Sequence, residues 1–302
     1  MLNKKAVLNF TIACTCLMLS LFLGGCESYH YTPVASHKVI ETLGLEEVWK
    51  HDNVFVGDSG NPSMVASKGT VAFLGGLDIN DQSSLTVLSA ESGELLWQKG
   101  RGTPTAIFAS SDALFIGQSG LAGVTKFDLA TGGIIWHTSL DARGLTSLTV
   151  LEDEIYVNTT GTTDKFFVLN ATTGEIVRQV DNQIFRILVF TEDANLLLNG
   201  GKIYCLEPTT GKVKWQTEYI AASNLVSVED FVFFLSKDGQ LQALDLQSGA
   251  LKYFVQFDTD HFILNGEAYV GGYNVAYDPQ TKLIFAQLGD SAQLFAFQVL
   301  DK

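Results

Sequence analysis

A ten-residue pattern returns five times along this chain of 302 residues and restricts its fold more than any other feature. The copies occupy residues 88–97, 127–136, 169–178, 206–215 and 244–253. Aligned on Gly93, Gly132, Gly174, Gly211 and Gly249, each carries an apolar residue five places before the glycine and a polar or acidic residue four before. Ser or Thr stands one before, and usually an aromatic four after. The glycines are 39, 42, 37 and 38 residues apart, a period that belongs to solenoids or propellers. Runs such as 71–74, 113–116, 154–157 and 231–235 fill that period. Short, rich in β-branched or aromatic residues and bounded by turn residues, they read as strands.

Within each copy the polar side chain suits the capping of a type I turn, and the glycine takes the left-handed conformation that a Cβ disfavours. Each copy is therefore expected to join two antiparallel strands. Trp97, Trp136 and Trp215 fall in one register on the strand after the joint, and Trp49 is the fourth tryptophan. They read as wedges buried between neighbouring sheets, worth about 3–5 kcal/mol each against Ala.

Four strands per period, repeated radially, give an all-β fold, a β-propeller of four-stranded antiparallel blades. Residues 293–298 (Gln-Leu-Phe-Ala-Phe-Gln) match 240–245 (Gln-Leu-Gln-Ala-Leu-Asp), which sets the next turn glycine at position 302, where the sequence stops. The last blade then lacks its outer strand, while residues 45–51 hold Trp49 with no motif before it. Pairing this N-terminal outer strand with the C-terminal blade closes the ring, hides both edges and gives about six blades over 45–302. Because the interval after Gly249 exceeds one repeat, 254–269 is read as an insertion, the alternative being a degenerate extra blade.

Ahead of the repeats, Lys4 and Lys5 precede an apolar run over 6–23, followed by Leu23-Gly24-Gly25-Cys26. This stretch resembles the lipobox of bacterial lipoproteins, in which the cysteine carries the lipid. Residues 1–25 are expected to be a signal peptide, Cys26 the lipidated residue, and 26–44, polar and aperiodic, a tether. The alternative, an uncleaved transmembrane anchor, has a run of only 18 residues interrupted by Asn9. Either way the propeller is expected outside the cytoplasm, at a membrane surface. Glu27, by the lipoprotein sorting rule of enterobacteria, points to an outer membrane facing the periplasm, or to the cell surface in a Gram-positive organism.

Cys14 and Cys16 belong to the signal, so Cys205 is the one cysteine of the body, and neither an internal disulfide nor a cysteine metal site follows. Without Lys4 and Lys5 the mature chain is two charges more negative than the full chain's −14. That balance argues against nucleic acid and against a broad hold on anionic lipid. On one face of the disc the turns are short. On the other, loops 75–84, 117–123, 137–145, 158–164 and 254–269 are longer and rich in Gly, Asp, Asn and Thr. Since function sits on loops carried by a rigid frame, this longer-loop face is the expected surface for an envelope protein partner.

The order Asx, two free positions, Thr-Gly, three free positions, Trp resembles the repeat of pyrroloquinoline-quinone-like propellers. That class contains the quinoprotein alcohol dehydrogenases and the BamB lipoproteins of the outer-membrane barrel-folding machine, which have eight blades. The chain has no Trp-Asp pair of the WD repeats. A quinoprotein resemblance would imply adjacent cysteines and a calcium site of Glu, Asn and Asp, and no such set is apparent.

Other chemistry is sparse. His30, His37, His51, His137 and His261 include no pair at metal-helix spacing, and there is no nucleophile elbow or phosphate loop. Asp78, Asn80 and Asp81 crowd oxygen ligands as a calcium loop would, yet lack the glycine and distal glutamate of an EF-hand, so a solvated hairpin is the plainer reading. Arg101, Arg143 and Arg186 precede successive inner strands and, converging on the channel mouth, would bind an anionic group; ordinary surface placement is the alternative.

The sequence thus predicts a monomeric, lipid-anchored, protein-binding scaffold without cofactor or enzymatic activity, with a BamB-like role in outer-membrane protein assembly implied by the resemblance. One alternative is a quinone- or metal-dependent extracytoplasmic enzyme. Another is a small-ligand or glycan binder, which would use aromatics such as Phe262, Tyr269 and Tyr273 on the loop face.

Overall fold

The computed structural model describes residues 36–56, 63–78, 85–100, 104–110, 112–118, 123–142, 144–160, 165–181, 189–190, 195–199, 201–207, 212–259 and 272–300. All of its regular structure is β. Strands β1 (Val39–Leu43) and β2 (Leu45–Asp52) find partners far along the chain, and β3 (Phe55–Val56) pairs with β6 (Gly75–Gly76). Sheet I then comprises β4 (Met64–Ser67), β5 (Thr70–Phe73), β7 (Leu85–Ser89) and β8 (Leu95–Lys99). Sheet II runs through β9 (Pro104–Ala109), β10 (Ala113–Gln118), β11 (Gly123–Asp128) and β12 (Ile134–Ser139).

Sheet III follows with β13 (Gly144–Leu151), β14 (Glu154–Thr160), β15 (Lys165–Asn170) and β16 (Ile176–Asp181). Sheet IV has β17 (Val189–Phe190), β18 (Asn195–Asn199), β19 (Lys202–Leu206) and β20 (Val213–Gln216). Sheet V has β21 (Val226–Val228), β22 (Phe231–Ser236), β23 (Gln240–Asp245) and β24 (Leu251–Phe257). The last strands, β25 (Asn274–Asp278), β26 (Leu283–Leu288) and β27 (Gln293–Val299), make three quarters of sheet VI.

The fourth strand of sheet VI is β2, antiparallel to β27, with Leu45 opposite Val299 and Asp52 opposite Gln293. The expected pairing of the N-terminal strand with the C-terminal sheet is therefore present. Along the inner side, β4 packs on β9 and β25, β9 on β13, and β25 on β21. Side chains reinforce these contacts. Asn224, just before β21, brackets Val275 of sheet VI, accepting from its N–H and donating to its carbonyl at 2.9 Å each. The Ser63 N–H donates to Asn274 Oδ1 at 2.9 Å.

Two boundaries differ from the sequence reading. The expected tether, 26–44, contains β1, which adds to the free edge of β24 as a fifth strand of sheet V. Its Val-Ile-Glu-Thr-Leu run shows no clean alternation because four of its five residues are exposed. The expected insertion, 254–269, begins inside β24, since residues 254–257 complete that strand; 260–271 lie outside the described residues.

Apolar side chains collect between sheets. Ile107, Leu114 and Phe127 meet Ala72 and Val87 between sheets II and I, while Phe257, Phe295 and Phe297 join Phe233 between V and VI. Truncating Phe233, Phe257, Phe295 or Phe297, all fully buried, to Ala would cost about 3–5 kcal/mol.

The repeated motif works across these boundaries. Trp49, Trp97, Trp136 and Trp215 all sit on outermost strands and are half-buried, not buried as expected. A Cβ on Gly132 would lie 2.9 Å from Cδ2 of Trp97, one on Gly174 2.7 Å from Trp136, one on Gly249 2.9 Å from Trp215, and one on Gly93 3.0 Å from Trp49. Each tryptophan thus lies under the turn glycine of the following sheet. These glycines also have φ between 67° and 77°, so two constraints fall on one residue.

The indole then donates to the carbonyl three residues before that glycine: Trp49 Nε1 to Ala90 at 2.8 Å, Trp97 to Leu129 and Trp215 to Leu246 at 2.9 Å. Trp136 departs from this, because Lys126 Nζ, over the Phe115 ring, donates at 3.1 Å to Ala171, the carbonyl that Trp136 Nε1 would use. In sheet V the aromatic is Tyr253, and Gly44, with φ 69° between β1 and β2, takes the glycine's place over its ring. In sheet III the position holds the exposed Arg178.

Candidate partner-binding surface

The motif turns of sheets I, II, III and V are each tied by their polar residue, in sheet I by Ser89 Oγ accepting from the Ser92 N–H at 3.3 Å. Asp128 Oδ1 accepts from the Thr131 N–H at 2.8 Å and from its hydroxyl at 2.6 Å, and Asp245 Oδ1 accepts likewise from Ser248, at 2.7 Å each. These bonds, the side-chain one foremost, hold both carboxyls below the usual aspartate range. Asn170 serves the same way, accepting from Thr172 and Thr173.

Just after each turn the outer strand bulges. In sheet I Leu95 faces Leu88 and Trp97 faces Val87, leaving Leu96 unpaired. Ile135, Val177, Lys214, Lys252 and Val48 are the corresponding extra residues of the other sheets. A regular strand would turn one of two consecutive residues inward, but the bulge leaves both facing solvent. Leu95 and Leu96 are 49% and 50% exposed, Ile134 and Ile135 65% and 51%, Ile176 and Val177 45% and 59%.

Three successive sheets therefore present an aliphatic arc along the motif-turn rim. In sheets IV and V lysine takes one place of each pair. The bulge also twists the edge away from strand addition, so the arc offers side chains, not backbone. The sequence reading counted these as free positions within the motif. Their aliphatic repetition was visible, but only the bulge reveals that both members of a pair are outside.

Of the sites named from sequence, Cys26, Arg101, Arg143, Arg186, Asn80, Asp81 and Gly211 lie outside the described residues, as do Phe262 and Tyr269. Asp78 is exposed just after β6. Tyr273 is 5% exposed and packs in the core between sheets V and VI, so it is no surface aromatic. His137, assigned to a loop, lies in β12, where Nδ1 meets the Thr125 hydroxyl at 2.9 Å. Cys205 is buried, and burial pushes its thiol up. Among the described residues no three His, Cys, Asp or Glu side chains are grouped to hold a metal, and no helix is long and apolar enough to cross a membrane.

The tips of the longer loops, 79–84, 119–122, 161–164 and 260–271, also lie outside the described residues. What is described at that face is its footing, including a buried polar group that the sequence reading placed in the tether. His37 is 5% exposed, and its Nε2 lies 2.9 Å from Asp290 Oδ2.

Comparison with known proteins agrees with this architecture. BamB from Moraxella catarrhalis is 15% identical over 87% of this chain and 98% of its own, with a TM-score of 0.36. The WD40 β-propeller domain of Doa1 is 11% identical over 85% and 97%, with a TM-score of 0.56. A chain of the mitotic checkpoint complex is 10% identical over 85% and 95%, with a TM-score of 0.58. At such identities the last two likenesses are of fold alone, and that fold is a β-propeller. No curated protein matches the chain. The family described as outer membrane protein assembly factor BamB matches residues 81–184 and 169–283, together well over half of the sequence and spanning all five motif copies. The chain belongs to that family.

Proposed function

We propose that this protein is a lipid-anchored scaffold of the cell envelope, a closed six-bladed propeller that binds another protein and takes part in outer-membrane protein assembly. The aliphatic arc of Leu95, Leu96, Ile134, Ile135, Ile176 and Val177 carries the reading. A set of consecutive exposed aliphatics on a rigid frame marks an interaction surface, and the longer-loop face supplies a second one. Ring closure is supported by β2 on β27 and by the packing of β4 on both β9 and β25. Anchorage rests on Cys26 and its lipobox. The protein needs no cofactor in this role.

The test is affinity capture from crosslinked native membranes, comparing wild type with the L96E/I135E/V177E variant. Each substitution falls at the unpaired bulge residue, so the sheets are left intact. Recovery of a barrel-assembly subunit by wild type and its loss in the variant is the expected result. Recovery of another envelope complex would keep the scaffold and remove the assembly role. Capture unaffected by the substitutions would remove the arc. A stoichiometric quinone or coloured metal in the absorption spectrum of native protein would replace the scaffold with an enzyme.

A further inference from the structure

The segment 36–43 reaches sheet V by its edge and sheet VI through the backbone and side chain of His37. Strand β1 contributes little apolar burial, and Ile40 is 64% exposed. Its N-terminal end is held by polar contacts instead. The His37 N–H donates to Gln293 Oε1 at 2.8 Å, and the Lys38 N–H to Asp258 Oδ1 at 2.8 Å. Gln293 Nε2 in turn donates to Asp52 Oδ1 at 2.8 Å and to the His37 carbonyl at 3.3 Å.

Both ring nitrogens of His37 face carboxylates. Nε2 lies 2.9 Å from Asp290 Oδ2, at the turn between β26 and β27, and Nδ1 lies 3.5 Å from Asp258 Oδ1, just past β24. Neutral imidazole has one N–H; only imidazolium can donate at both positions. When the proton leaves for solvent, one nitrogen lone pair faces a carboxylate oxygen, next to an Asp290 Oδ1 that is buried without a hydrogen bond. That arrangement is costly in a buried site.

We propose that residues 36–43 form a pH-gated strap, in which protonated His37, gripped by Asp258 and Asp290, fastens β1 to sheets V and VI and neutral His37 releases it. The charged groups around the ring are Asp258 from the end of β24, Asp290 from the β26–β27 turn, Asp52 of β2 behind Gln293 with its partner Lys50, and Lys38 beside it in the strap. Burial alone would lower the histidine's affinity for its proton. The hydrogen bond and charge of Asp290, then those of Asp258, outweigh it and hold His37 above the ordinary histidine value. With the folded value raised, the grip is complete below about pH 6.5, the free-histidine value, and is lost as pH rises through the clasped value.

Hydrogen exchange of the purified full chain tests this directly, read on peptides covering 36–43 from pH 6 to 9 after correction for intrinsic rates. In wild type the opening constant of the strap should rise by up to about tenfold per pH unit between the free and clasped values, with the β2–β27 pairing unchanged. In H37Q, which cannot take up a proton, opening should be larger at pH 6 and flat with pH. An NMR titration of the His37 ring in wild type is the companion measurement, with a midpoint above 6.5 coincident with strap opening. Strap exchange independent of pH in wild type, the same slope in H37Q, or a ring midpoint below 6.5 would each overturn the proposal.

Discussion

Replacing Gly132 with Ala adds one methyl group where two requirements meet. The residue has φ 67°, and the left-handed region costs a residue with Cβ about 1–2 kcal/mol. The new Cβ would also lie 2.9 Å from both Cδ2 and Cε3 of Trp97, inside contact distance, so the indole must retreat. Trp97 is half-buried, so forfeiting its packing would cost roughly half of a full aromatic truncation, about 2 kcal/mol. Losing its 2.9 Å bond to the Leu129 carbonyl adds about 1 kcal/mol. Gly132→Ala should therefore destabilise by about 4–5 kcal/mol, a large part of the stability of an ordinary domain. In a Trp97→Ala background only the backbone cost, about 1–2 kcal/mol, should remain. Urea unfolding of wild type, both single variants and the double variant gives a coupling energy, expected near 3 kcal/mol. A coupling below about 0.5 kcal/mol would show that the glycine serves its own turn and not the neighbouring tryptophan.

Lys282 is the non-glycine counterpart: it closes a turn on Asp278 with the same N–H to carbonyl bond, at 2.9 Å and φ 57°. Lys282→Gly should stabilise by about 1 kcal/mol, read as a raised urea midpoint. Lys126→Met should free the Ala171 carbonyl for Trp136 Nε1; the indole N–H resonance of Trp136 should move towards those of the other three tryptophans, with stability unchanged or raised by up to about 1 kcal/mol. Asp128 and Asp245 have lowered folded values, so their contribution is present above about pH 4 and lost as pH falls through those values. Melting from pH 5 to 3 should accordingly drop less in D128N/D245N than in wild type.

The sequence made the joints legible because their chemistry is local. Asp128, Thr131 and Gly132 meet within one turn, and five copies reinforce one another. The pairing of residues 45–51 with the last sheet was readable as well, since a missing outer strand and a spare one complement each other. Strand β1 was not, because its partner is the edge of β24 and four of its five side chains stay in water, so neither alternation nor burial marks it. His37 looked like part of a polar tether for the same reason: Asp258 and Asp290 stand more than two hundred residues away. The aliphatic arc depends on a bulge, which the spacing of apolar residues does not announce.

The contact between one sheet's tryptophan and the next sheet's glycine has a direction. In sheets I, II and V the repeat carries an aromatic plug on its trailing strand and a socket in its own turn, so neighbouring repeats join head to tail, as subunits do in a cyclic oligomer. A joint of this kind needs no partner-specific surface, and a unit can be gained or lost by duplication or deletion without a new interface having to arise. Arg178 in place of a plug, and Gly44 serving as a socket from outside the repeats, mark where this chain has departed from uniform assembly and become asymmetric.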